Sequence, residues 1–184
     1  MVIMKLIFVT GLPGIDRKSI INLALQRAGR KSEFSLVDFD TIEDITEDIG
    51  EIPDMATAKE LIARFSEKMQ KTLIGEIKKQ KGSIAVNGHL TFATKYGYEH
   101  ALSDEFFRSF RPDVIVLIEK QKLKKKPNGD VVDVLDPQSA EHQTINRHFA
   151  AVYSSISGSA IKIIKLSEEK TMDAVSALTE IIKS

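Results

Sequence analysis

Gly11, Pro13, Gly14, Arg17, Lys18 and Ser19 follow directly on the apolar run Leu6-Ile7-Phe8-Val9 and lead into a helical pattern. A strand that enters a Gly/Pro turn and then a helix aims backbone N–H groups and a helix N-terminus at one point, where an anion is stabilised. The full phosphate-cradling motif is Gly, four residues, then Gly-Lys-Ser/Thr, with the lysine on the phosphates and the hydroxyl on magnesium. In that register Gly11, Pro13 and Gly14 fit, but Asp16 stands at the second glycine, Arg17 at the lysine and Lys18 at the hydroxyl. Taking Lys18-Ser19 as the Lys-Ser pair instead places Arg17 and Leu12 at the two glycines. Neither register is clean. A carboxylate about 4 Å from a phosphate charge costs on the order of 4 kcal/mol at an effective dielectric near 20. Asp16 must therefore turn outward, or pair with Arg17 or Lys18, before a polyphosphate can settle. The competing reading is an ordinary strand-turn-helix junction that holds no ligand.

The elements around this loop must bury and position it. At 184 residues the chain reads as one domain with a proper core. Lys+Arg and Asp+Glu both total 26, so net charge points to neither nucleic acid nor membrane. The chain has no cysteine, which excludes disulfides, thiolate catalysis and zinc-thiolate sites. No apolar run reaches the roughly 18 residues that span a bilayer. Met1 to Val9 reads as a strand, not as a signal peptide, and the expected compartment is the cytoplasm. The predicted strands are Lys5 to Thr10, Phe34 to Phe39, Ser83 to Asn87, Asp113 to Glu119 and Ala160 to Leu166. The run Val114-Ile115-Val116-Leu117-Ile118 is apolar on both faces, as in a buried parallel sheet. Between them lie helical patterns at Lys18 to Arg27, Thr57 to Gln80, Asp104 to Phe110, Gln138 to Ser157 and Thr171 to Ile182. In the fourth, Ile145, Phe149, Val152, Tyr153 and Ile156 share one face. Strand-helix alternation behind such a first turn predicts an α/β domain with ligands at the carboxyl ends of its strands. Two segments interrupt the pattern. Thr41 to Asp54 is acidic, and Lys120 to Asp136 carries Lys120, Lys122, Lys124, Lys125 and Lys126 before the turn Pro127-Asn128-Gly129-Asp130.

Three stretches carry a family resemblance: Val9-Thr10-Gly11-Leu12-Pro13-Gly14-Ile15; Val86-Asn87-Gly88-His89 with Thr94 and Gly97-Tyr98; and Glu141-His142-Gln143, Asn146-Arg147, Ala150, Tyr153, Gly158 and Ile161-Lys162-Ile163-Ile164. In these the chain resembles the nucleoside monophosphate kinases, and more narrowly the archaeal-type adenylate kinases, over nearly its whole length. The resemblance implies a P-loop NTPase-like α/β domain with a five-stranded parallel sheet flanked by helices, spanning 1–184. It implies a monophosphate-binding insert at 41–80, a phosphate-covering lid at 120–136, ATP with Mg2+ as the donor pair, and a homo-oligomer, often a trimer. The chain departs from the family where the chemistry should be. Asp16-Arg17-Lys18 replaces a glycine-rich cradle. Asn87-Gly88-His89 replaces Asp-Thr-His, so a neutral amide stands where a carboxylate holds magnesium through water. Ala93 replaces the arginine expected on the monophosphate, with Lys95 two residues on. Lysines replace the lid arginines, giving charge without the bidentate fork, and Asp40 replaces a glycine.

These residues support a site in which Gly11, Pro13, Gly14, Arg17, Lys18 and Ser19 cradle the donor. His89 and Lys95 line the acceptor pocket, and Lys124, Lys125, Lys126 and Arg147 close over the phosphates. Each position also has a plainer reading. Arg17 and Lys18 pair with Asp16 on the first helix; His89 is a structural histidine, with no second ligand at metal spacing; Arg147 snorkels off its helix or pairs with Glu141. His142 and His148 are expected at the surface or an interface. The lysine run reads first as a solvated loop, then as a lid. As an RNA patch it lacks the interleaved aromatics on which bases stack. Acid at position 16 and amide at 87 together predict weak or impaired transfer of the terminal phosphoryl of ATP to AMP or a related monophosphate. The alternative is a binding or assembly module that keeps the fold without catalysis.

Overall fold

The computed structural model describes residues 5–39, 54–167 and 171–184. The acidic stretch Thr41 to Asp54, all but Asp54, lies outside the described residues, as does the Asp40 departure. The elements run β1 (Leu6–Gly11), α1 (Arg17–Arg27), β2 (Phe34–Asp38), α2 (Met55–Lys79), β3 (Ser83–Asn87), β4 (Thr91–Thr94) and β5 (Gly97–His100). They continue α3 (Asp104–Phe110), β6 (Val114–Gln121), β7 (Leu123–Lys125), β8 (Val131–Asp133), α4 (Pro137–Ser157), β9 (Ala160–Ser167) and α5 (Thr171–Lys183).

Five strands form one parallel sheet in the order β2-β3-β1-β6-β9. Alternation along β1 divides the core between its two faces, since successive side chains of a strand point opposite ways. Leu6 and Phe8 pack beneath α2, α3 and α4, with Leu73, Phe107 and Tyr153. Ile7 and Val9 pack beneath α1 and α5, with Ile21, Leu25, Val175 and Leu178. Both faces being covered is why β6 needs an unbroken apolar run. All five predicted strands and all five predicted helices are present, each within two residues of its expected ends.

Three features differ from the sequence reading. A two-stranded antiparallel hairpin, β4–β5, fills the stretch after His89. Val152, expected on the buried face of α4, is 51% exposed, and Ala150 and Asn146 are buried there instead. His142, expected at the surface or an interface, is buried within the fold. The lysine segment forms the hairpin β7–β8, and Gly129 at φ 91° makes its turn.

Candidate functional site

The chain leaves β1 at Gly11, hard against β6. A Cβ at this position would lie 2.4 Å from the Ile118 carbonyl oxygen, so only glycine fits. Leu12 and Ile15 turn into the core and pin the loop from below. Gly14 takes the left-handed conformation at φ 75°, and the Lys120 ammonium lies 3.9 Å from where its Cβ would be. This is the crevice beyond the strand carboxyl ends, where open α/β sheets take ligands.

The loop uses its own groups to satisfy several of its amides. Ile15 N–H donates to the Leu12 carbonyl at 3.4 Å and Arg17 N–H to the Ile15 carbonyl at 2.7 Å. At the start of α1 the Asp16 carboxylate accepts the Ser19 N–H at 3.0 Å. Asp16 caps the helix through its side chain, and its negative charge sits where the helix dipole favours an anion. A protein carboxylate occupies a donor that the motif would offer to phosphate.

Arg17 is 0% exposed and turned under the loop. Its Nη1 donates to the Leu12 carbonyl at 2.7 Å, its Nε to Asn87 Oδ1 at 2.8 Å, and its Nη2 lies 3.0 Å from His89 Nε2. Guanidinium only donates, so His89 Nε2 accepts and the imidazole is neutral, with its proton on Nδ1. Asn87 Nδ2 donates in turn to Asp38 Oδ1 at 2.8 Å, and Lys18 Nζ meets Asp38 Oδ2 at 2.9 Å. Parallel pairing sets Asp38 opposite Asn87 at the ends of β2 and β3.

At the end of β6, Glu119 is buried and accepts both arms of Arg147, each at 2.6 Å, and the Lys165 ammonium. The Arg147 partner is therefore Glu119 and not Glu141. Burial pushes the Glu119 carboxyl up, but hydrogen bonds from Arg147 and Lys165 outweigh it and hold the pKa below the ordinary value. A depressed folded pKa gives stability above the unfolded carboxylate pKa of roughly 4.3, lost as pH falls through the folded value. Arg147 and Lys165 are each more than two-fifths exposed, which moderates the cost of stranding them. Glu119→Gln is expected to lose about 2 kcal/mol at neutral pH, with the deficit shrinking as pH falls through the depressed folded pKa. Urea unfolding across pH measures this; a deficit unchanged at low pH would assign the loss to packing.

The polar face of α4 ties this centre to the β4–β5 hairpin. The Thr91 hydroxyl donates to Asn146 Oδ1 at 2.7 Å, so its oxygen accepts from His142 Nε2 at 2.9 Å. Burial pushes the His142 pKa down, keeping it neutral. Gln143 Nε2 donates to the Lys120 carbonyl at 3.2 Å, and Tyr98 donates to Glu141 at 3.2 Å.

The fold thus gathers Gly11, Pro13, Gly14, Arg17, Lys18, Ser19 and His89 at one end of the sheet. Lys95 lies at the β4–β5 turn, with its ammonium 5.1 Å from the centre of the Tyr96 ring. Lys124, Lys125 and Lys126 are exposed on the β7–β8 hairpin. A cavity of about 440 Å³ opens between that hairpin's base, the ends of β6 and β9 and the start of α5, lined by Lys120, Gln121, Leu135, Leu166, Ser167 and Thr171. Sequence reasoning missed Asp38, Glu119 and Thr91. A charged residue directly after the five-residue apolar run of β6 was the available signal for Glu119.

A β2-β3-β1-β6-β9 parallel sheet with this loop after its first strand defines a P-loop α/β domain. No protein-family profile matches the chain. It is similar to the adenylate kinase of Thermoplasma volcanium, with 28% identity over 182 residues, covering 95% of this chain and 98% of that protein. It is similar also to those of Pyrococcus abyssi, 29% identical over 96% of this chain and 94% of that protein, and Methanocaldococcus jannaschii, 27% identical over 97% and 98%. The chain is thus similar to archaeal adenylate kinases over nearly its whole length.

Proposed function

We propose that this chain binds nucleotides at the carboxyl end of its sheet, with transfer of the ATP terminal phosphoryl to AMP, or a related monophosphate, impaired. The single observation that carries this reading is the Asp16 carboxylate on the Ser19 N–H at the start of α1. Phosphoryl transfer is catalysed by positioning and by positive charge around the moving group. In this chain a negative charge faces that group, and the arginine at the motif's lysine position is committed beneath the loop.

The parts remaining for binding are the Gly11 to Gly14 turn, Lys120 beside it, the largely exposed Lys18, Ser19, and the lid lysines Lys124, Lys125 and Lys126. The 440 Å³ cavity at the base of the 120–136 lid has room for a base against Val134, Leu135 and Leu166 in an otherwise polar lining. On the acceptor side, Lys95 and the 41–80 insert would meet the monophosphate, with His89 behind them as a hydrogen-bonded wall. Arg147 contributes through Glu119, which holds it beside the end of β6. Self-association belongs to the same proposal, since edge strand β9 leaves Ile161 and Ile163 exposed. Among the described residues no helix is long and apolar enough to cross a membrane.

The completeness of the Arg17–Asn87–Asp38–Lys18 network also favours a second reading, a binding or assembly module with no turnover. A coupled assay of ADP formation from ATP and AMP with Mg2+ tests both. Turnover is expected below about 0.1 per second, against roughly 1–100 per second for ordinary kinases. No turnover with measurable nucleotide binding selects the second reading, and turnover of 10 per second or more contradicts both.

A further inference from the structure

The donor set on the floor of the loop does not suit a magnesium ion. In the phosphate-loop motif the residue after the lysine offers a hydroxyl to magnesium, and an acidic residue on a neighbouring strand helps hold it. Magnesium demands near-octahedral oxygen donors at roughly 2.0–2.1 Å and favours carboxylates. At the hydroxyl position this chain has Lys18, a cation with no lone pair to give. Its Nζ is 2.9 Å from Asp38 Oδ2. The other Asp38 oxygen accepts Asn87 Nδ2 at 2.8 Å, and Asn87 Oδ1 accepts Arg17 Nε at 2.8 Å. The side-chain oxygens of Asp38 and Asn87 that could turn to a metal thus already accept N–H donors. An incoming dication would also face the Lys18 ammonium and the Arg17 guanidinium.

We propose that the Lys18 ammonium is a built-in counter-ion in the metal's stead, so that nucleotide phosphates bind this loop without a divalent cation. The inference rests on the nucleotide-binding reading above. Lys18 suits the part: its side chain is 59% exposed, and a flexible four-carbon stem carries a compact charge between Asp38 and a phosphate oxygen. Arg17 cannot move in the same way, because three acceptors hold it in the buried floor. Asp38 thus becomes a docking carboxylate for the ammonium and not a ligand of magnesium.

The test is calorimetric titration of the full chain with ATP, once in excess EDTA and once in millimolar MgCl2. For the natural sequence the two affinities are expected to agree within about twofold. Lys18→Ser is expected to weaken binding in EDTA by roughly fivefold or more, through loss of a cation beside the phosphates. Lys18→Ser with Asn87→Asp, which restores a hydroxyl and a carboxylate, is expected to bind roughly tenfold tighter with magnesium than without. If the double variant fails to fold, the single one, altered only at a largely exposed side chain, still decides. Binding by the natural sequence that tightens about tenfold with magnesium overturns the inference and leaves the nucleotide-binding reading intact. An unchanged affinity for Lys18→Ser in EDTA also overturns the inference. No binding in either buffer overturns both.

Discussion

Arg17→Ala is expected to destabilise the fold by about 3–5 kcal/mol, the range for breaking a buried charged network by removing one partner. The side chain is fully buried, and its removal leaves the Leu12 carbonyl, Asn87 Oδ1 and His89 Nε2 each short of a donor. Stranded buried acceptors cost roughly 1–3 kcal/mol each, and the void left by a guanidinium adds to them. For a chain of this size the midpoint of thermal unfolding should fall on the order of 10 °C. Arg17→Lys should recover only part, because one ammonium cannot reproduce a planar fork that reaches three acceptors in different directions. Thermal unfolding monitored by circular dichroism separates the two roles Arg17 could have. A solvent-facing phosphate ligand could be truncated with a midpoint change under about 1 °C, and that result would remove Arg17 from the floor of the loop.

The outline of the sheet was legible because its strands are buried on both faces. Val114-Ile115-Val116-Leu117-Ile118 has no polar interruption, and only a covered parallel strand tolerates that. The loop and its departures from the phosphate motif were legible at fixed spacing. What the sequence left open was direction. Arg17 is the first residue of α1, and whether a side chain in a first turn points into the protein depends on acceptors from β3 and the far side of the loop. Asn87 and His89 are 70 and 72 residues away, beyond any local pattern. Arg147 illustrates the same limit. Glu141 is six residues earlier on one helix, a spacing that does not bring side chains together, while Glu119 lies across α4 at the end of β6. His142, expected at the surface or an interface, is buried. Burial is tolerated because the Thr91 hydroxyl, donating to Asn146, turns its lone pair to the imidazole. The β4–β5 hairpin was not anticipated, since Thr91–Thr94 and Gly97–His100 are four residues each and too short for a period-2 signal.

Asp16→Gly is expected to raise affinity for ATP by one to two orders of magnitude, about 1.4–3 kcal/mol. The full repulsion of a carboxylate about 4 Å from a phosphate charge is on the order of 4 kcal/mol near a protein surface. Asp16 is exposed and can rotate from its cap toward solvent, so part of that repulsion is already avoidable. Glycine is itself an acceptable N-cap, and exchanging aspartate for it costs α1 only about a few tenths of a kcal/mol. The substitution therefore alters the anion site with little change to the helix behind it. It frees the Ser19 N–H, now bonded at 3.0 Å to the carboxylate, for a phosphate oxygen. Side-by-side calorimetric titration of the natural sequence and Asp16→Gly with ATP asks most directly whether the chain occupies its own anion cradle. At least tenfold tighter binding by the glycine variant is the expected result. Equal affinities would mean that the carboxylate never competes with phosphate, which contradicts the assignment of Asp16 as the group that impairs this site.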